Sequence, residues 1–185
     1  MKRSIIAVAV LSSLFMSAGA FAEEGSEQGE LVITGNVVGT TCQFIGNSQA
    51  TIAMNDIGAD QFDGKSAGYV YDGYSNKTTV PLTVKCSEGK APRITFSRSQ
   101  FDADHSDITI NTSVNPNGAG FAVYYESADG QSQKIEGDKS IELGSDESNE
   151  PNEYTLNFSA KYAQSGGVVT AGPVNSALTM TVVTD

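Results

Sequence analysis

Apolar residues in this chain recur at every second position over short stretches, and nowhere does a helical period of 3.6 persist for three turns. The clearest case begins at residue 31, where Leu-Val-Ile-Thr-Gly-Asn-Val-Val-Gly-Thr-Thr sets Leu31, Ile33, Gly35, Val37 and Gly39 on one face of an extended strand. Further runs rich in Val, Ile, Thr, Tyr and Phe predict strands over residues 31–44, 50–54, 78–86, 93–98, 120–127, 134–136, 140–143, 153–162 and 174–184. Turn chemistry separates them at Asp72-Gly73, Asn115-Pro116-Asn117-Gly118, Asp129-Gly130 and Gly166-Gly167. Helical structure is expected only as a short turn in the loops around residues 57–62 or 98–103. The pattern is that of an all-β sandwich, with no internal repeat and no linker dividing it.

The first strand stands apart from the rest. It precedes Cys42 and therefore lies outside the loop that Cys42 and Cys86 would close. A segment patterned for burial on one side needs an acceptor, and addition to an exposed sheet edge is the recurring way to supply one. Folding back as an ordinary first strand of its own sandwich would produce the same alternation, so periodicity leaves both arrangements open.

The N-terminus changes the picture of where the chain works. Lys2 and Arg3 precede the apolar run 5–16, which closes on Ala20-Phe21-Ala22. This order of charged, apolar and small-residue zones is that of a cleavable secretion signal over residues 1–22, too short for a lasting membrane span. Residues 23–30, acidic and glycine-containing up to Glu30, then form a mobile leader. Taking 2 from the 11 basic residues leaves 9 against 22 acidic ones, a net charge near −13. Nucleic acid and anionic membranes are poor partners for such a surface. In an exported chain with two cysteines, a Cys42 to Cys86 disulfide is the economical reading.

Candidate chemistry adds little. Asp102-Ala103-Asp104-His105-Ser106-Asp107 contains the residue types of a hydrolytic triad, but sequence neighbours on a loop are not a triad and no Gly-x-Ser-x-Gly elbow is present. The same cluster lacks the glycine and closing glutamate of a calcium loop, and one histidine with no Cys-x-x-Cys spacing leaves no zinc set. No cofactor is implied. Asn76, Asn111 and Asn157 open glycosylation sequons, with Asn157 inside a predicted strand. Tyr69, Tyr71 and Tyr74 could stack on a sugar or, as the favoured reading, pack between copies on an outer face.

Four features together resemble the chaperone-usher pilins, in particular the type 1-like major fimbrial subunit. They are Ile33-Thr34-Gly35-Asn36-Val37-Val38 ahead of Cys42, the cysteine pair, the run from Glu153 to Tyr162 followed by Gly166-Gly167, and a C-terminal strand. In that last strand Gly172 is the fourteenth residue from the end, and Val174, Ser176, Leu178, Met180 and Val182 follow in phase. The chain departs from the family pattern at Thr184, where a tyrosine is usual. The resemblance implies an incomplete immunoglobulin-like sandwich of six strands over residues 42–185, with residues 23–41 an extension bearing the donor strand. It implies a groove walled by Gly172, Val174, Leu178, Met180 and Val182, with Thr184 and the carboxylate of Asp185 reaching a chaperone. It further implies a non-enzymatic structural subunit of a surface fimbria, passed from a periplasmic chaperone to an outer-membrane usher and polymerised by donor-strand exchange. Its partners would be copies of itself, related subunits and, through the fibre, a host glycan or protein receptor. A minor adaptor or a lectin-like tip adhesin is the alternative.

Overall fold

The computed structural model describes residues 29–37, 42–87, 92–143 and 148–184, with residues 29–37 described in backbone alone. Gly39 and Asp185 lie outside the described residues, as does the signal segment. Two sheets face each other. One has the order β3-β1-β12-β6-β9, formed by β1 (Gly29–Val37), β3 (Gln49–Met54), β6 (Pro92–Phe96), β9 (Ser140–Glu142) and β12 (Asn175–Thr184). The other has the order β2-β5-β11-β7-β8, formed by β2 (Cys42–Ile45), β5 (Leu82–Cys86), β7 (Ala119–Glu126), β8 (Ser132–Lys134) and β11 (Glu153–Gln164). Two short strands, β4 (Asn76–Lys77) and β10 (Ser148–Glu150), also pair with β11.

Alternating side chains from both sheets meet in one core, as period-2 strands require when one face is buried. Ile52, Leu82, Val84, Ile94, Phe96, Leu156, Phe158, Leu178 and Met180 are all buried there. Phe158 organises its centre, with Phe96 edge-on at 6.3 Å and Tyr125 at 5.9 Å between ring centroids.

The long β11 changes partners along its length. Glu153 to Leu156 pair with β5, whereas Asn157 to Gln164 pair with β7 on the other side. The backbone groups left over are taken by β10 beside Tyr154, by β4 beside Ser159 and Ala160, and by the loop before β4, where Tyr71 N–H donates to Tyr162 O at 2.8 Å. That loop explains where the tyrosines go. Tyr69, Tyr71 and Tyr74 are half-buried against the core, with Phe62 edge-on to Tyr69 at 6.1 Å, and not on an outer face as the sequence suggested. Their stretch has no strand period because its backbone only borrows isolated bonds from β11.

The single strand expected over residues 31–44 is two strands in different sheets, β1 and β2. Both halves alternate, so periodicity carries no mark of the crossing. The two helical turns fall where expected, as 3-10 turns at Ala59–Phe62 and Arg98–Gln100. Cys42 and Cys86 stand directly opposite each other on β2 and β5 and are joined by a disulfide, with 3.9 Å between Cα atoms.

Candidate acceptor groove

The feature that the fold singles out is the slot between β3 and β12. In the isolated chain it is filled by the chain's own β1, which runs parallel to β12 and antiparallel to β3. Every other named strand pairing is antiparallel. Glu30 to Val37 are level with Asn175 to Val182, and Gly29 to Thr34 with Met54 to Gln49. Without β1, both β3 and β12 would present a row of unpaired backbone groups beside apolar side chains.

The wall formed by β12 follows from its burial. Ser176, Leu178, Met180 and Val182 face inward with at most 3% exposure, whereas Ala177 and Thr179 are exposed. Register sets Leu31 beside Ser176, Ile33 beside Leu178, Gly35 beside Met180 and Val37 beside Val182. The odd positions of β1 thus share the pleat phase of the buried wall. At the far end, Thr184 pairs with Pro92 of β6.

Beyond Gly29 the slot opens into a cavity of about 200 Å³, lined among others by Phe62, Asn117, Tyr162, Val169, Gly172 and Val174. Gly172 has φ +156°, a conformation that favours glycine; a Cβ there would sit at an ordinary 3.6 Å from Asn117 Cβ, so backbone and not space sets the requirement. Tyr162 O–H donates to Asn55 O at 3.2 Å, and burial, followed by the charge of Asp56 and the neighbouring Tyr74, pushes its phenol up to about 12.

Polar side chains fix the start of β12, and sequence reading missed them. Thr109 is fully buried and accepts Phe121 N–H at 3.0 Å. Its hydroxyl meets Ser176 Oγ at 2.7 Å, and Ser176 donates to Ile110 O at 2.7 Å. Asn111 takes Asn175 N–H at 3.1 Å and donates to Pro173 O at 3.1 Å. Asn117, 8% exposed, donates to Thr170 O at 2.9 Å and Gly172 O at 3.0 Å. The only advance signal was the turn composition of residues 115–118.

The other candidates separate from the groove. Asp102 accepts the backbone N–H groups of Asp104 and His105, and Asp107 pairs with Lys134 at 2.6 Å. Burial would lift the Asp107 carboxyl, but the hydrogen bond and charge of Lys134 outweigh it and hold the pKa below the usual range. Among the described residues no group of three or more His, Cys, Asp and Glu is placed to hold a metal, and no helix is long and apolar enough to cross a membrane. Asn76 is engaged with Ala53 O, and Asn111 with the start of β12.

The family model described as "Fimbrial protein" matches residues 31–184, from β1 through β12. The chain belongs to the fimbrial protein family. A fimbrial relative, the uncharacterized fimbrial-like protein YehD of Escherichia coli (strain K12), is 31% identical over 187 residues and covers the whole of both chains. A solved structure, titled as the Burkholderia pseudomallei antigen and type I fimbria protein BPSL1626, aligns at a TM-score of 0.40 and 18% identity over 85% of this chain and 95% of that one. Membership makes the chain a fimbrial subunit, in a structural and adhesive family of surface fimbriae whose members assemble with other fimbrial subunits.

Proposed function

We propose that this subunit is a structural unit of the fibre and polymerises by donor-strand exchange, with the segment around β1 of one copy taking the place of β1 in the next. The observation that carries the reading is the origin of the strand in the slot. An interior strand of one sheet, between β3 and β12, is supplied by a segment outside the disulfide loop, separated from Cys42 only by residues 38–41. Such a strand can leave without unthreading the body, and β3 and β12 then form an acceptor for a segment of the same sequence. A periplasmic chaperone would cover the slot before exchange and an outer-membrane usher would be the place of exchange. Leu31, Ile33, Gly35, Val37 and Gly39 would be donor positions. Gly172, Val174, Leu178, Met180 and Val182 would form the acceptor wall, with Thr184 and Asp185 at its chaperone end. The subunit then acts by packing and pairing and carries out no catalysis.

A second reading rests on the same strand: a chain that keeps β1 in its own slot is a closed monomer. Deletion of residues 23–38 separates the two. With the chaperone the shortened subunit should still be captured, yet it should donate to no neighbour and stop growth as a chain end, seen as a truncated ladder of heat-resistant oligomers on a gel. If the shortened subunit polymerises like the full one, or cannot fold even with the chaperone, β1 belongs to its own sandwich and the exchange reading fails.

A further inference from the structure

We infer that Gln100 is a positioning residue that stands in for a missing strand beside β12, and so keeps this acceptor edge extended while no donor fills the slot. The inference rests on the exchange reading above. Its physical basis is a mismatch between the two neighbours of β12. β1 lies along Asn175 to Val182, but β6 covers only Met180 to Thr184 on the other side, and after Phe96 its chain leaves the sheet for the 3-10 turn at Arg98–Gln100. Among the described residues no strand backs Asn175 to Thr179 on that side. This is the half of β12 that grips a donor hardest, because Glu30 to Thr34, level with it, are the residues of β1 that β3 also pairs.

Groups from residues 98–112 take the place of the absent strand. A strand residue sends its N–H and C=O to the same edge, and at Thr179 both go to Gln100. One setting of the Gln100 amide pairs both of its ends: the nitrogen donates to Thr179 O at 3.1 Å and the oxygen accepts Thr179 N–H at 2.6 Å. Asn175 is served in the same way, its N–H by Asn111 Oδ1 at 3.1 Å and its C=O by Thr112 N–H at 2.7 Å. Between them Ser176 Oγ reaches Ile110 O at 2.7 Å, and Ile110 N–H returns to Gln100 O at 3.1 Å. The turn that carries Gln100 is itself fixed. Phe101 is buried in the core, and the Arg98 guanidinium donates to Phe101 O at 3.1 Å and Ala103 O at 2.6 Å. When β1 leaves, the edge of β12 that faces the slot loses its partners whatever else happens. With Gln100 in place, that edge alone is bare. Without it, the far-edge groups of Thr179 are bare as well, and the middle of the strand is free to leave the extended form.

Gln100→Met keeps the length of the side chain and removes both bonds to Thr179. Two quantities are read on the purified full chain: opening of β1, from amide hydrogen exchange over residues 30–36, and the rate of uptake of a labelled synthetic peptide of residues 29–40. The ratio of uptake to opening measures how well the opened slot accepts a strand. Ile135→Val, a core loss beside β7, is the reference for a general loss of stability. It should raise opening and uptake together and leave the ratio unchanged. Gln100→Met should open at least as readily as the unaltered chain, yet lower the ratio at least about tenfold. Gln100→Asn, one methylene shorter, draws the same amide away from Thr179 and should lower the ratio too, which keeps the test in hand if the first variant does not fold. A ratio equal to that of the unaltered chain in the folded variants overturns the role of Gln100 and leaves exchange standing. If the unaltered chain takes up no peptide at all, the exchange reading itself falls, and the role of Gln100 with it.

Discussion

Tyr162 shows how one side chain ties stability to pH at the end of the groove. Its folded pKa, about 12, lies above the value near 10 of an exposed phenol, so the fold favours the protonated ring. The contribution is fully present below pH 10 and is lost as the pH rises from there through 12, a loss on the order of 2 to 3 kcal/mol. Denaturant titrations between pH 9 and 12 should show that decline in the native chain and a flatter profile in Tyr162→Phe, which should also cost about 1 kcal/mol at neutral pH for the lost bond to Asn55 O. Met180 tests the wall itself. Met180→Asp places a charge at a site with no exposure and should remove most folded subunit, whereas Thr181→Asp, half-buried in the opposite phase, should be mild; the soluble yield of each measures it. The alternation of Leu178, Met180 and Val182 was readable because burial on one face leaves a period of two. Thr109, Asn111 and Asn117 were not, since polar residues in turns look alike whether solvated or buried. Only the topology brings Thr109 to Ser176, 67 positions away.

At the scale of elements, β1 and β2 mark the limit of pattern reading. Both satisfy the same period, so one continuous strand was the natural expectation, and only their membership of opposite sheets divides them. β4 and β10, with two and three residues, are too short to display any period, and they exist because β11 needs partners on both sides. The disulfide was legible from the count of cysteines alone. It closes a span of 44 positions, so Cys42→Ser should cost about 4 kcal/mol, read as a lowered denaturation midpoint under oxidising conditions. Gly35 is level with Met180, and Gly35→Leu adds bulk at a position paired with a fully buried one. Overpacking of this kind costs about 1 to 3 kcal/mol, and shorter, slower-growing polymers are the expected outcome.

For the whole molecule, charge and chain connectivity act on different steps. With 22 acidic residues against 11 basic ones the chain repels its copies, and this repulsion is screened over about 10 Å at 0.1 M salt. Closure of β1 into its own slot brings no second copy near. Exchange between copies should therefore quicken as salt rises from 0.01 to 0.5 M, while the melting temperature of the closed monomer shifts little; equal responses would show that charge does not govern encounter. The position of β1 also has a mechanical consequence. In a fibre joined by this strand, pulling on the fibre pulls the strand along its own axis, against β12 on one side and β3 on the other. The ladder bonds on both edges would then have to shear together, with no free end from which to peel. Tension would enter each body at Cys42, and the bridge to Cys86 would carry it past the intervening loop. That loop contains β3, one of the two strands gripping the donor, so tension arriving at Cys42 would not unravel the gripping strand from the body.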